Sequence, residues 1–199
     1  PALTDFVFMT KKISNMFITG PDVIKTVTGE NTDFNGLGGP KIHNEKSGVA
    51  SFMADNEKDC FDIVKLLLSY LPQNNMENPQ TISTNDDPKR ANIKLSDVIP
   101  KDTKKAYDVK NVIEDIVDKN TFLELHPLYA QNAVIGLARL NSIVIGIVAN
   151  QPKILAGCLD INSSDKIARF VRFCDSFNIP IINLVDVTGY LPGVNQEHN

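Results

Sequence analysis

With 199 residues, 42% of them hydrophobic and 22% charged, the chain has the make-up of an ordinary globular protein and the length of one large domain or parts of two. A formal net charge of −4 excludes a basic field for nucleic acid or an anionic membrane, and no apolar run reaches the ~20 residues of a membrane-spanning helix; the longest, 133–149, is broken by Gly136, Arg139, Asn141, Ser142 and Gly146. Cys60, Cys158 and Cys174 are odd in number and far apart, which argues against a disulfide framework or a zinc site and for a reducing compartment.

In chain order, Phe6-Val7-Phe8-Met9 and Met16-Phe17-Ile18-Thr19 read as buried strands or strand ends. Pro21 and Asp22 open a short helix, since proline suits the first helical turn and an acid complements the positive end of the helix dipole; Gly29 closes it. Asp33 to Pro40, with Gly36, Gly38 and Gly39, reads as a glycine-dense turn. A stronger helix is expected from about Glu57 to Leu71, where Cys60, Ile63, Val64, Leu67 and Leu71 recur at helical spacing. Asn56 or Asp55 caps its start and Pro72 ends it. From Gln73 to about Lys104 apolar residues are sparse while Asn, Asp, Lys and Pro abound, so this is a linker or an extended surface strap, and the domain boundary falls there.

The second block opens with an expected helix from Val109 to Lys119, striped by Val112, Ile113, Ile116 and Val117, followed by a strand from Thr121 to Leu125. Ala133 to Leu140 and Ile143 to Ala149 make a hairpin about the two-residue turn Asn141-Ser142. After Asn150-Gln151-Pro152 come a short apolar run, Ile154-Leu155, and the stretch Ala156 to Asp160. Ser163 or Ser164 caps a helix to about Phe177, with Ile167, Phe170, Val171 and Cys174 on its apolar side and Lys166, Arg169 and Arg172 on its polar side. Ile179 to Val187 is apolar except for Asn183 and Asp186, the mark of a buried parallel strand covered on both faces. The chain stops after the next turn and begins at Pro1, not Met. Both ends read as truncation points, giving the tail of one α/β domain, a connector and the head of another.

Phosphate-loop and nucleophile-elbow motifs are absent, and His43, His126 and His198 are too scattered for a metal site, so no metal is expected. Gly36, Gly38 and Gly39 either bring backbone N–H groups to a ligand or form only a tight turn. Lys166, Arg169 and Arg172 either meet a phosphate or make a solvated face. Asp186 stands where open α/β sheets bind ligands, or else accepts N–H bonds from the turn after it. Cys60 and Cys174, at apolar helical positions, are expected in the core.

Longer stretches carry a resemblance. PALTDFVFMTKKISNMFITGPDVIKTVTGE (1–30), LGGPKIHNEKSGVA (37–50) and GIVANQPKILAGCLDINSSDKIARFVRFCDSFNIPIINLVDVTGYLPGVNQEH (146–198) are similar to the carboxyltransferase subunits of biotin-dependent acyl-CoA carboxylases. Residues 16–30 look most like the propionyl-CoA branch. The resemblance implies an α/β fold of the crotonase-type ββα superhelix. Residues 1–72 would be the C-terminal part of the N-terminal carboxyltransferase domain, 73–104 a linker, and 105–199 the first part of the C-terminal domain.

The implied activity moves a carboxyl group from carboxybiotin to the α-carbon of propionyl-CoA, giving methylmalonyl-CoA. The alternatives are a methylmalonyl-CoA decarboxylase or transcarboxylase subunit running the transfer in reverse, or, for these residues alone, an inactive fragment. Biotin would come on a separate carrier, the substrate would be a CoA thioester, and ATP would be used only by a partner biotin carboxylase. Partners would be the biotin carboxylase and biotin carboxyl carrier subunits and further copies of the carboxyltransferase, with no nucleic acid and no membrane. The location would be bacterial cytoplasm or mitochondrial matrix.

By the same resemblance, Gly157 and Cys158 offer backbone N–H groups to an oxyanion. Asn150, Gln151, Lys153, Ala156, Gly157, Leu159 and Arg169 lie in the acyl-CoA-binding region, and Gly38, Gly39 and Gly193 match glycines near biotin. The chain departs from the family's pattern at Thr188, where proline is common, and at Pro40, where a small residue is. The family's two main oxyanion-hole glycine turns fall outside 1–199.

Overall fold

A computed structural model describes residues 3–87, 89–92, 95–102 and 105–198. Pro1, Lys104 and Asn199, which bound expected segments, lie outside the described residues. The chain divides into two compact α/β units, Pro1–Leu66 with His126–Tyr129 and Leu67–Leu125 with Ala130–Asn199.

In the first unit, β1 (Phe8–Thr10) and β2 (Phe52–Ala54) pair in parallel, with Phe8 opposite Phe52 and their rings stacked at 4.9 Å. Helix α1 (Pro21–Thr28) forms as expected and ends where Gly29, at φ 78°, donates its N–H to the Lys25 carbonyl. Met16 to Thr19 is not a strand: the Met16 N–H donates to the Gly38 carbonyl at 2.8 Å, and Ile18 is fully exposed. The glycine-dense turn is two short helices, α2 (Phe34–Gly38) and α3 (Pro40–Glu45). The Asp33 carboxylate caps the first by accepting the Gly36 N–H at 2.6 Å, and Pro40 starts the second. Helix α4 (Glu57–Leu68) begins with Asn56 Oδ1 accepting the Asp59 N–H, but it stops three residues short of Leu71, and Cys60 is only half-buried.

The second unit is built on a four-stranded sheet ordered β3 (Leu123–Leu125), β4 (Ala133–Leu140), β5 (Ile143–Asn150), β6 (Ile181–Leu184). The first three strands run antiparallel; β5 and β6 are parallel and joined by α7 (Ile161–Ser176). Strands β4 and β5 are buried on both faces. Val109, Ile113 and Val117 cover one face, clustering with Val134, Ala138, Ile145 and Ile147. Helix α7 lies against the other so closely that a Cβ on Gly146 would stand 2.9 Å from Cys174 Sγ.

Four expectations are corrected here. Helix α6 (Val109–Ile116) ends before Lys119, because Val117 turns extended and the Asp118 carboxylate binds the hairpin turn. Helix α7 is capped by Asp160, not Ser163 or Ser164; Ser163 instead completes a reciprocal capping box. This start brings Ser163, Lys166, Phe170, Phe173 and Cys174 inside and leaves Val171 exposed. Lys166 is thus not on the polar face. It is 6% exposed, its ammonium donates to the carbonyls of Ala130 and Ala133, and burial lowers its pKa to about 8. Strand β6 is shorter than 179–187 and only half-buried, since it has a neighbour on one side, and Val185 and Val187 are exposed.

The polar segment after α4 forms one helical turn, α5 (Leu95–Val98), and straps onto the second unit. Arg90 pairs with Asp86 and donates to the Asp115 and Val117 carbonyls, and Arg139 donates to the carbonyls of Ser69 and Gln80. Among the described residues no helix is long and apolar enough to cross a membrane, and no cluster of His, Cys, Asp and Glu could hold a metal ion. Helix α8 (Val194–His198) closes the described chain.

Candidate functional site

The parallel strands β5 and β6 end at Asn150 and Leu184, and the crevice beyond the carboxyl ends of parallel strands is where open α/β sheets hold ligands. There the chain makes a tight turn in which Leu155 (φ 50°), Ala156 (φ 52°) and Gly157 (φ 75°) are successively left-handed. For residues with a side chain this costs roughly 1–2 kcal/mol each, so the surroundings must hold it. Gly157 cannot be replaced freely, because a Cβ there would also stand 2.7 Å from the Asp186 carbonyl.

Three successive carbonyls of the turn accept side-chain donors. Thr188 Oγ1 lies 3.3 Å from the Ala156 carbonyl, Asn150 Nδ2 3.0 Å from that of Gly157, and Asn132 Nδ2 2.9 Å from that of Cys158. Thr188 Oγ1 is also 2.9 Å from Cys158 Sγ. Within the turn the Gly157 N–H donates to Ile154 and the Cys158 N–H to Leu155, each at 3.0 Å. Both expected oxyanion donors therefore already hold an acceptor. Ala156 is exposed, and its N–H meets no acceptor among the described residues.

Other expected site residues converge on one carboxylate. Asp108 caps α6 and also accepts Gln151 Nε2 at 2.8 Å and Lys153 Nζ at 3.3 Å. Burial raises its pKa, but the bonds from Gln151, the Lys110 N–H and Lys153 outweigh that and hold it below the usual carboxylate value. Gln151 is buried and fixed further by the Val109 N–H, while Lys153 is exposed. Leu159 is bonded through its backbone to Gly189 and Leu191, and Arg169 is half-buried on α7. Asp186 accepts the Tyr107 hydroxyl at 2.7 Å; burial and that carboxylate push the phenol up to about 12. A neighbouring cleft of 450 Å³ is lined by Asp160, Asp165 and Glu197 together with Tyr190 and Leu191, and its acidity suits no phosphate.

Gly38 and Gly39 belong to the first unit and Gly193 to the second. A Cβ on Gly38 would fall 2.0 Å from the Met16 carbonyl, and one on Gly39 2.7 Å from that of Asn35. The space beside these two glycines is filled by the chain's own backbone, not left as a cradle. Gly193 precedes α8, and its carbonyl accepts the N–H groups of Gln196 and Glu197. Sequence reasoning missed Asn132, Asp108 and Tyr107, each a single polar residue whose partner lies tens of positions away.

Comparison with known proteins gives a consistent result. The carboxyl transferase domain family matches residues 1–199. The chain is 53% identical over 197 residues to the methylmalonyl-CoA decarboxylase subunit alpha of Veillonella parvula, covering 99% of this chain and 39% of that protein. It is 52% identical over 199 residues to the propionyl-CoA carboxylase carboxyltransferase subunit of Haloferax mediterranei, covering 100% and 39%. The crystal structure of a transcarboxylase 12S hexamer with methylmalonyl-coenzyme A and methylmalonic acid bound superposes with a TM-score of 0.95 at 54% identity, over 100% of this chain and 38% of that one. The chain thus spans about two fifths of the length of these relatives.

Proposed function

The chain belongs to the carboxyl transferase domain family, and from that membership we propose that the whole protein carries a carboxyl group between carboxybiotin and propionyl-CoA, with methylmalonyl-CoA as the carboxylated thioester. The fold is α/β, of the crotonase-like superfamily. The observation that carries the reading is the left-handed turn at the ends of β5 and β6, which presents an exposed peptide N–H in a member of a family acting on CoA thioesters. Biotin supplies an activated carboxyl group, and the assignment of Gly38, Gly39 and Gly193 to its pocket rests on resemblance. Partner subunits carrying biotin and biotin carboxylase, further copies of the carboxyltransferase, and ATP use confined to the carboxylase belong to the same proposal. So does the assignment of the two units to the N- and C-terminal carboxyltransferase domains.

At the thioester, this chain's own residues supply position and partial charge. Deprotonation at the α-carbon puts negative charge on the thioester oxygen, and an N–H aimed there in advance favours the transition state over the ground state. Among the described residues the Ala156 N–H has no competing acceptor. The Gly157 and Cys158 N–H groups would act as shared donors. Lys153, released from Asp108, is the cation nearest the turn in sequence for a CoA phosphate, whereas the acidic cleft repels one.

A second reading is the same transfer run from methylmalonyl-CoA, compatible with the 53% identity to a decarboxylase subunit beside 52% to a propionyl-CoA carboxylase subunit. The full-length protein, supplied with its biotin carrier and biotin carboxylase subunits, should interconvert propionyl-CoA and methylmalonyl-CoA in a biotin-dependent manner. Net carboxylation driven by ATP and bicarbonate supports the first reading, and ATP-independent loss of carboxylate from methylmalonyl-CoA supports the second. No turnover of either thioester sinks both. Cys158→Ala should keep its rate. Cys158→Pro, which fits the native φ of −60°, should lose roughly 10²–10³-fold in kcat if that N–H is a donor. A folded, fully active proline variant leaves Ala156 as the donor.

A further inference from the structure

The turn is held in an unusual way. Left-handed Leu155 and Ala156 would relax to right-handed backbone unless opposed, and beside the turn's own N–H bonds to Ile154 and Leu155 the side chains that oppose this all act on its carbonyls. Asn132, from the loop before β4, is 2% exposed; Asn150, at the end of β5, is 8% exposed. A buried amide that loses its acceptor costs roughly 1–3 kcal/mol, so neither can release its carbonyl cheaply. Asn132 Nδ2 is also 3.1 Å from both Asp160 Oδ1 and Ser163 Oγ, and its backbone carbonyl accepts the Gln151 N–H at 2.9 Å. One residue therefore joins the turn, the cap of α7 and the end of β5. Thr188 differs in being exposed and free to bond water, yet its hydroxyl spans the Ala156 carbonyl and Cys158 Sγ.

We propose that Asn132 and Thr188 are positioning residues that lock the 155–158 turn by its carbonyls, so that its N–H side faces an acyl-CoA thioester. Asn132 sets the turn's place on the scaffold, and Thr188 trims the angle of the Ala156 peptide. Proline, the residue expected at 188 from the family resemblance, has no hydroxyl and could not make this adjustment. The inference rests on the acyl-CoA reading given above.

The test uses the full-length protein with Thr188→Val, which keeps shape and removes the hydroxyl, and Thr188→Ser, which keeps the hydroxyl. Two quantities are read: amide hydrogen exchange over 154–160, and kcat and KM for methylmalonyl-CoA in biotin-dependent decarboxylation. Thr188→Val should speed exchange in the turn and lower kcat about tenfold, with KM within about twofold, as expected for losing one net hydrogen bond at the transition state. Its Tm should stay within about 2 °C, and Thr188→Ser should restore both readouts. Asn132→Leu, where it folds, should lose more, about a hundredfold. Unchanged exchange in Thr188→Val overturns the lock. Faster exchange with unchanged kcat overturns its link to chemistry. If the unsubstituted protein turns over no thioester, it is the acyl-CoA reading that fails; an active enzyme indifferent to Thr188→Val overturns this inference alone.

Discussion

Two turns of the second unit share a left-handed backbone conformation and differ in whether side chains bind their N–H groups. At the β4–β5 hairpin, Asn141 (φ 50°) and Ser142 (φ 71°) are left-handed, and the buried Asp118 carboxylate accepts both N–H groups, at 2.8 and 2.7 Å, together with the Thr84 hydroxyl. At 155–158 amide and hydroxyl side chains take the carbonyls, the Gly157 and Cys158 N–H groups bond carbonyls of the turn itself, and the Ala156 N–H meets no acceptor among the described residues. Satisfying the N–H side consumes the partial positive charge of a left-handed turn, whereas satisfying the carbonyl side leaves it available. The first turn holds two strands together, and the second leaves the Ala156 N–H without an acceptor among the described residues.

The sharpest way to break this contrast is Gly157→Val. A side chain there meets the Asp186 carbonyl and a φ it rarely adopts, so kcat should fall about a hundredfold through misplacement of the turn. A folded valine variant with the normal kcat would end the claim that the turn's shape matters. Asp118→Ala should act on the other side of the comparison. It strips two hairpin N–H groups of their acceptor and should cost about 3 kcal/mol in urea unfolding, with kcat per folded molecule unchanged. If Asp118→Ala slows catalysis without loss of stability, the hairpin turn is not merely structural.

Legibility followed the range of the signal. The β4–β5 hairpin was readable because apolar alternation and a two-residue polar turn are local, as was α1 between Pro21 and Gly29. Met16 to Thr19 misled because an apolar run implies burial only when a partner exists, and Ile18 has none within the described fold. Lys166 misled because a lysine is normally placed in solvent, and only the helix start at Asp160 reveals the inward register. For the turn at 155–158, the family resemblance singled out Ala156, Gly157 and Cys158 but not their conformation. Its three anchors came from 132, 150 and 188, which no spacing rule connects, and the engagement of the Gly157 and Cys158 N–H groups needed the backbone geometry.

Lys166 sharpens the comparison from the anchor side, since it grips the carbonyls of Ala130 and Ala133 on either side of Asn132. Burial lowers its folded pKa to about 8 from the ordinary 10.5; Glu124 opposes the shift and Lys110 adds to it. Between those values the unfolded chain holds a proton the folded chain has released, so folding stability contributed by Lys166 rises with pH from about 8 to 10.5 and is flat below. Lys166→Met should remove that rise. The difference in unfolding free energy between the native protein and the variant should grow by up to about 3 kcal/mol across the window. Parallel stability curves would mean that Lys166 keeps the pKa of an ordinary lysine, its bonds to the Ala130 and Ala133 carbonyls offsetting the cost of burying the charge.

Lys153 carries the smallest expected effect and tests which way the open side of the turn faces. Its ammonium sits 3.3 Å from Asp108 Oδ2 with the side chain 57% exposed, a pairing worth about 0–1 kcal/mol. Exchanging that partner for a phosphate therefore costs little, and the gain is a solvent-screened attraction of similar size. Lys153→Gln should raise KM for the acyl-CoA about threefold with kcat unchanged, because the contact is made equally in the ground and transition states. The defect should shrink as ionic strength rises past about 0.15 M, where screening acts within ~8 Å. Asp108→Asn gives the opposite sign: it frees Lys153 while keeping much of the amide and N–H bonding at the α6 cap, so KM should fall slightly. If both substitutions leave KM and its salt dependence untouched, the CoA phosphates do not pass Lys153, and the proposed approach of the thioester along this side of the turn fails.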